Sequence, residues 1–110
     1  MKVKLIRNIP LITGLATTIV LAMTTSVSAA DGKALYTAKG CVACHGVDAK
    51  TPIMPAYPKL AGQSKVYADQ QMQDIKSGKR NNGQTAVMKG IMAAVSDEEI
   101  TALADYLSSL

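Results

Sequence analysis

Cys41-Val42-Ala43-Cys44-His45 sets both cysteines of the chain two residues apart and follows them with its only histidine. Two intervening residues place a pair of sulfurs one helical turn apart, the separation at which two thioether bonds can tether a haem through its vinyl groups. A histidine directly after the second cysteine reaches the iron from the same side of the ring. The five residues spell the signature for c-type haem attachment. Cys41 and Cys44 are therefore expected to attach one haem c, with His45 as an axial ligand of its iron. Two other chemistries use these residue types. C-x-x-C is also a dithiol redox motif, but such pairs usually open a helix after a strand, and no convincing strand precedes Cys41. A zinc site needs four ligands, and beyond these three the nearest candidates are unpaired carboxylates.

The elements that must position this motif begin after a distinct leader. "MKVKLIRN" carries Lys2, Lys4 and Arg7 without an acid, an uncharged stretch follows from Ile9 to Met23, and "TTSVSAAD" supplies small residues. That is the layout of a secretory signal peptide over residues 1–29, cleaved after Ala29 or Ala30. Its many Thr, Ser and Gly residues make it a poor match for ~20 mostly apolar residues of a retained membrane span. Removing it also removes three of the twelve Lys and Arg residues, which leaves nine against eight acids. A balance this close to neutral excludes a nucleic-acid partner, which needs a dense basic patch. The remaining domain, residues 30–110, has no Phe and no Trp. A chain of that size buries only ~60–65% of its unfolded surface and often needs a staple. A Cys41–Cys44 disulfide would close too short a loop to serve, whereas a tethered porphyrin brings its own apolar bulk.

Helical patterns punctuate this domain. "DGKALYTAKG" predicts a short helix with Ala34, Leu35 and Ala38 as its apolar stripe and Gly40 as its stop. Residues 46–63 read as loop and hold three prolines. From Ser64, an N-cap, "SKVYADQQMQDIKSG" predicts a helix with Ala68, Met72 and Ile75 on one face and Gly78 at its end. "KRNNGQTAVMKGIMAAV" reads as loop. "SDEEITALADYLSSL" is the clearest helix: Ser96 and Glu99 form a capping box, and Ile100, Leu103, Ala104 and Leu107 share a face. With no second histidine, the other axial position falls to Met54, Met72, Met88 or Met92, or stays open. Local chemistry alone does not choose between Met88 and Met92.

With these residues in place, the chain resembles the small bacterial cytochromes c, both the monohaem forms and each half of the dihaem forms. The likeness lies in "GKALYTAKGCVACHG", "PAYPKLAGQ", "YADQQMQDIKSGKR" and "VMKGIMAAVSDEEITALADYL". It implies an all-α cytochrome c fold, three main helices and long loops wrapped around one covalent haem. It further implies Met88 as the axial methionine, eight residues before Ser96, and Met92 as pocket packing. Pro58, in "PKLAG", matches the proline whose carbonyl accepts the histidine ring N–H. Gly32 and Tyr36 match the first-helix residues that cross Leu103 and Tyr106 of the last. The absence of Trp leaves Arg80, Asn82 and Tyr67 as candidates for bonding the haem propionates.

The function so implied is a soluble periplasmic electron carrier, not an enzyme, because His/Met ligation saturates the iron and thioether sulfur favours Fe(II). Its partners are expected to be membrane or periplasmic redox proteins, meeting it in brief encounters, with the carrier a monomer or weak dimer. The alternative is a haem enzyme or gas sensor with an open sixth site. With no spare histidine, that reading must rely on Arg80 or the Asn81-Asn82 pair.

Overall fold

A computed structural model describes residues 30–110. The expected signal peptide over residues 1–29 lies outside them. The chain forms five helices in the order α1 (Gly32–Ala38), α2 (Val42–His45), α3 (Lys65–Ser77), α4 (Thr85–Met92) and α5 (Asp97–Ser108), with no strand among the described residues. Both α1 and α3 pack against α5, and α4 packs along α3.

The last helix forms as its sequence predicts. Ser96 Oγ accepts from Glu99 N at 3.2 Å while Glu99 Oε2 accepts from Ser96 N at 2.9 Å, completing the capping box. Those two bonds satisfy donors that a helix start otherwise leaves open. The bond from Ser96, together with the Lys39 ammonium, holds the Glu99 carboxyl below its ordinary range. Ile100, Leu103, Ala104 and Leu107 are all buried, and they form the centre of the core with Tyr36, Ile75, Met92 and Val95. The third helix also follows its pattern: Ser64 caps it by accepting from Tyr67 N at 3.3 Å, Ala68 and Ile75 are buried, and Gly78 ends it at φ 84°. A left-handed residue there is one that glycine adopts without steric cost.

Two expectations are corrected. The first concerns the face of α1. Ala34 and Ala38 are exposed and Leu35 is half-buried, while Gly32 and Tyr36, one turn apart, are buried instead. Two alanines offer little apolar area, whereas one tyrosine buries a large ring. Asp31 caps this helix, its Oδ1 accepting from Lys33 N at 3.0 Å and Ala34 N at 3.3 Å. The second concerns residues 79–95, read as loop, within which α4 runs for eight residues. Gln84 makes no side-chain cap there, and Gly90 in its interior lowers intrinsic helicity by ~1 kcal/mol. The helix is held by packing, with Thr85 and Met92 buried, so propensity and capping signals both missed it.

Candidate functional site

The attachment motif is one turn of helix. Cys41 begins it in helical geometry, and His45 N donates to Cys41 O at 3.0 Å. The turn puts Cys41 and Cys44 on neighbouring positions of one face, both as half-buried free thiols. Gly46 ends it at φ 87°, and a Cβ there would run into the Thr51 carbonyl. The chain therefore turns sharply away directly after His45. Asp48 fixes that turn, its Oδ1 accepting from Lys50 N at 2.8 Å and Thr51 N at 2.9 Å. These bonds hold its carboxyl below the ordinary range. The return of the loop is tied to the motif by Ile53 N donating to Cys44 O at 3.1 Å, and to α5 by Gly62 N donating to Leu107 O at 2.9 Å.

His45 is only 5% exposed. Its Nδ1 lies 2.8 Å from Pro58 O. A carbonyl oxygen can only accept, so Nδ1 carries a proton, and in the neutral ring Nε2 keeps its lone pair. Among the described residues Nε2 has no hydrogen-bond partner, yet it is not sealed away as an orphaned buried atom. The tautomer and the free nitrogen are those an iron ligand requires.

The thiols and their surroundings disfavour the competing chemistries. Burial pushes the Cys41 thiol up, opposite to the depression that makes a cysteine a reactive nucleophile. Among the described residues, no group of three or more His, Cys, Asp or Glu side chains converges as a metal site. A haem fits better. Cys41, Val42, Leu60, Met72 and Met88 are all half-buried side chains at the margin of one core. Ile53, Met54, Tyr67 and Val87 leave further apolar surface uncovered, of the kind a flat apolar ring would shield.

The methionine candidates differ in burial. Met92 is 3% exposed and packed among core side chains. Met72 lies half-buried on α3, and Met54 sits exposed among the prolines. Met88 is half-buried on α4, one turn before Met92. Of the propionate candidates, Arg80 donates to Gln71 Oε1 at 3.0 Å, and the main-chain carbonyl of Asn82 accepts from Thr85 Oγ1 at 2.7 Å. Tyr67 is half exposed.

One functional contact was not legible in the sequence. Tyr36, expected to pack, also donates its hydroxyl to Gly46 O at 2.7 Å, joining α1 to the residue after His45. The available signal was general: a buried tyrosine hydroxyl needs a partner. Burial, with smaller contributions from Cys41, Tyr106 and Asp48, pushes its phenol up to about 12. An unfolded tyrosine ionises near ~10. Between these values the unfolded chain releases its proton first, so stability falls as pH rises through that window. Tyr36→Phe should flatten the alkaline limb of a stability-against-pH profile. It should also cost about 1 kcal/mol at neutral pH through loss of the bond, the Gly46 carbonyl keeping the Ala49 N–H at 3.2 Å. Denaturant titration between neutral and strongly alkaline pH measures both effects.

Comparison with known proteins agrees with this geometry. The family profile for cytochrome c matches residues 29–110. The chain is 37% identical over 97 residues to the thiosulfate dehydrogenase electron acceptor of Stutzerimonas stutzeri, covering 82% of this chain and 44% of that protein. It is 41% identical over 69 residues to cytochrome c-554(548) of Halomonas halodenitrificans, covering 63% of this chain and 82% of that one. The crystal structure of reduced cytochrome c4 from Pseudomonas stutzeri superposes with a TM-score of 0.64 at 32% identity, over 74% of this chain and 47% of that chain. The chain thus spans about half the length of the acceptor and of cytochrome c4, and most of cytochrome c-554(548). The all-α arrangement described above is the fold of that cytochrome c4 structure.

Proposed function

Because this chain belongs to the cytochrome c family, we propose that it is a soluble periplasmic carrier of single electrons, with His45 and Met88 as the axial ligands of one haem. Membership brings covalent haem c, and Cys41 and Cys44 stand at the spacing its two thioether bonds use. The haem supplies a reversible one-electron change at iron. Cys41 and Cys44 hold it to the motif helix. His45 presents Nε2 in a fixed orientation, because Pro58 O holds the opposite side of the ring at 2.8 Å. That single hydrogen bond carries the reading. Met88 would supply the second side-chain ligand to the iron and so exclude exogenous ligands. The open-site alternative loses support because Arg80, one of its candidate distal groups, is engaged with Gln71.

Export follows from the leader: a signal peptide over residues 1–29 delivers the domain 30–110 to the periplasm. Among the described residues no helix is long and apolar enough to cross a membrane. Partners are membrane or periplasmic redox proteins that donate and accept one electron at a time. A thiosulfate-oxidising dehydrogenase is one class of donor, by analogy with the S. stutzeri acceptor.

The test is the axial methionine. Met88→Ala should abolish the weak far-red sulfur-to-iron band of the oxidised protein. It should lower the reduction potential by on the order of 100 mV, more than one tenfold step in a one-electron equilibrium at ~59 mV each. Met92→Ala should keep the band and lose stability. A band that survives Met88→Ala and disappears in Met92→Ala reverses the assignment.

A further inference from the structure

The connector between α4 and α5 is gripped from two sides by lysines of other helices. Lys39, the C-cap of α1, donates Nζ to Ala94 O at 2.7 Å and pairs with Glu99 Oε2 at 3.0 Å. Lys76, in the last turn of α3, donates Nζ to Val95 O at 2.6 Å and pairs with Asp97 Oδ1 at 3.2 Å. Each ammonium thus bonds one of two successive carbonyls and one of the three acids in the first turn of α5. The carbonyls follow directly on the end of α4, where main-chain oxygens run out of helical partners and the helix dipole favours positive charge. The acids sit where the opposite end of a dipole favours negative charge.

We propose that Lys39 and Lys76 act as positioning residues, a two-point clamp on the connector that sets how firmly Met88 is presented as a ligand. Within α4, Met88 lies one turn before Met92, and Met92 N through Val95 forms the path into the connector, with Val95 N donating to Met92 O at 3.0 Å. Met92 and Val95 are both buried in the core, so they carry the connector's placement back along α4. The helix itself lacks a side-chain N-cap and contains Gly90, so beyond its packing on α3 the bonds at its C-terminal end bear on its placement. Charge-assisted bonds to carbonyls are stronger than neutral ones, and the two lysines approach from separate helices, so neither substitutes for the other.

This inference rests on Met88 as ligand, and the experiment separates the two. Imidazole is titrated into oxidised, haem-loaded protein, and displacement of methionine is followed by loss of the far-red band. The double variant Lys39→Met, Lys76→Met should reach half-displacement at about tenfold lower imidazole, and each single variant at about threefold lower. Lys39→Arg, which keeps charge and donors, should stay within about twofold of the parent. Amide exchange at Val95 should accelerate in the double variant. Ser64→Ala removes a cap at the far end of α3 and controls for general loss of stability; its imidazole midpoint should not move. A parent protein with the band, together with an unchanged midpoint in the double variant, overturns the clamp alone. A midpoint that shifts equally in Ser64→Ala also overturns it. A parent protein without the band overturns Met88 ligation and the clamp with it.

Discussion

Replacing both Cys41 and Cys44 with alanine should give a chain without covalent pigment that fails to unfold cooperatively. The reason lies in what the polypeptide buries by itself. Its larger buried side chains are Tyr36, Ile75, Met92, Val95, Ile100, Leu103 and Leu107, and it has no Phe or Trp to add. Around this small centre, Cys41, Val42, Leu60, Met72 and Met88 are only half covered. Backbone ordering costs roughly 1–2 kcal/mol per residue, and a domain of this size supplies little surplus against it without a staple. A covalently held haem is present at effectively unlimited local concentration, so it stabilises the folded state without the dilution that a free ligand suffers. Denaturing electrophoresis with haem staining reads the attachment, and far-ultraviolet circular dichroism during a urea titration reads the fold. A colourless double variant with a sharp urea transition would show that the polypeptide core suffices.

The second large effect concerns a single methyl group. Gly32 sits where α1 crosses α5, and a Cβ there would strike the Ala102 carbonyl and lie 2.6 Å from Tyr106 Cβ. The obstacles are main chain and the root of a side chain, so no rotamer change relieves them. The same crossing holds Tyr36 against Tyr106, with ring centroids 5.8 Å apart and planes tilted by 55°. Prying the helices apart would loosen that pair and the Tyr36 bond to Gly46 together. Overpacking of this kind costs about 1–3 kcal/mol, and Gly32→Ala should fall at or above the upper end. At ~4–8 °C per kcal/mol for a domain of this size, its melting temperature should drop by at least ~10 °C. Gly90→Ala is the internal comparison. Nothing lies within 4 Å of a Cβ at Gly90, so this substitution in α4 should raise stability by up to ~1 kcal/mol. Thermal melts of the two haem-loaded variants should therefore move in opposite directions.

What the sequence disclosed follows from how local each signal is. The helix α5 was readable to its cap because Ser96, Glu99 and the buried face of Ile100, Leu103, Ala104 and Leu107 all lie within one segment. The attachment motif was readable for the same reason: its five residues make a single turn. The buried face of α1 was not readable from its pattern, because Gly32 is chosen by its neighbour across the helix crossing; Gly32 and Tyr36 could be named only through the resemblance. Nor was α4, whose uncapped start and internal glycine argue against a helix until α3 is there to pack on. Pro58 could be named only through the resemblance, since it lies thirteen positions along a loop from His45. The bond from Tyr36 to Gly46 stayed hidden because a buried hydroxyl announces a need for a partner without indicating which one.

The oxygen that orients the His45 ring belongs to the main chain. No point substitution deletes that atom; even replacing Pro58 leaves an acceptor behind, provided the loop keeps its course. The imidazole's tautomer is thereby insulated from most genetic change, and only insertions, deletions or rerouting of the 46–63 segment would disturb it. Variation in electron affinity among descendants of such a chain would then arise mainly on the opposite side of the porphyrin, where individual side chains can be exchanged one at a time.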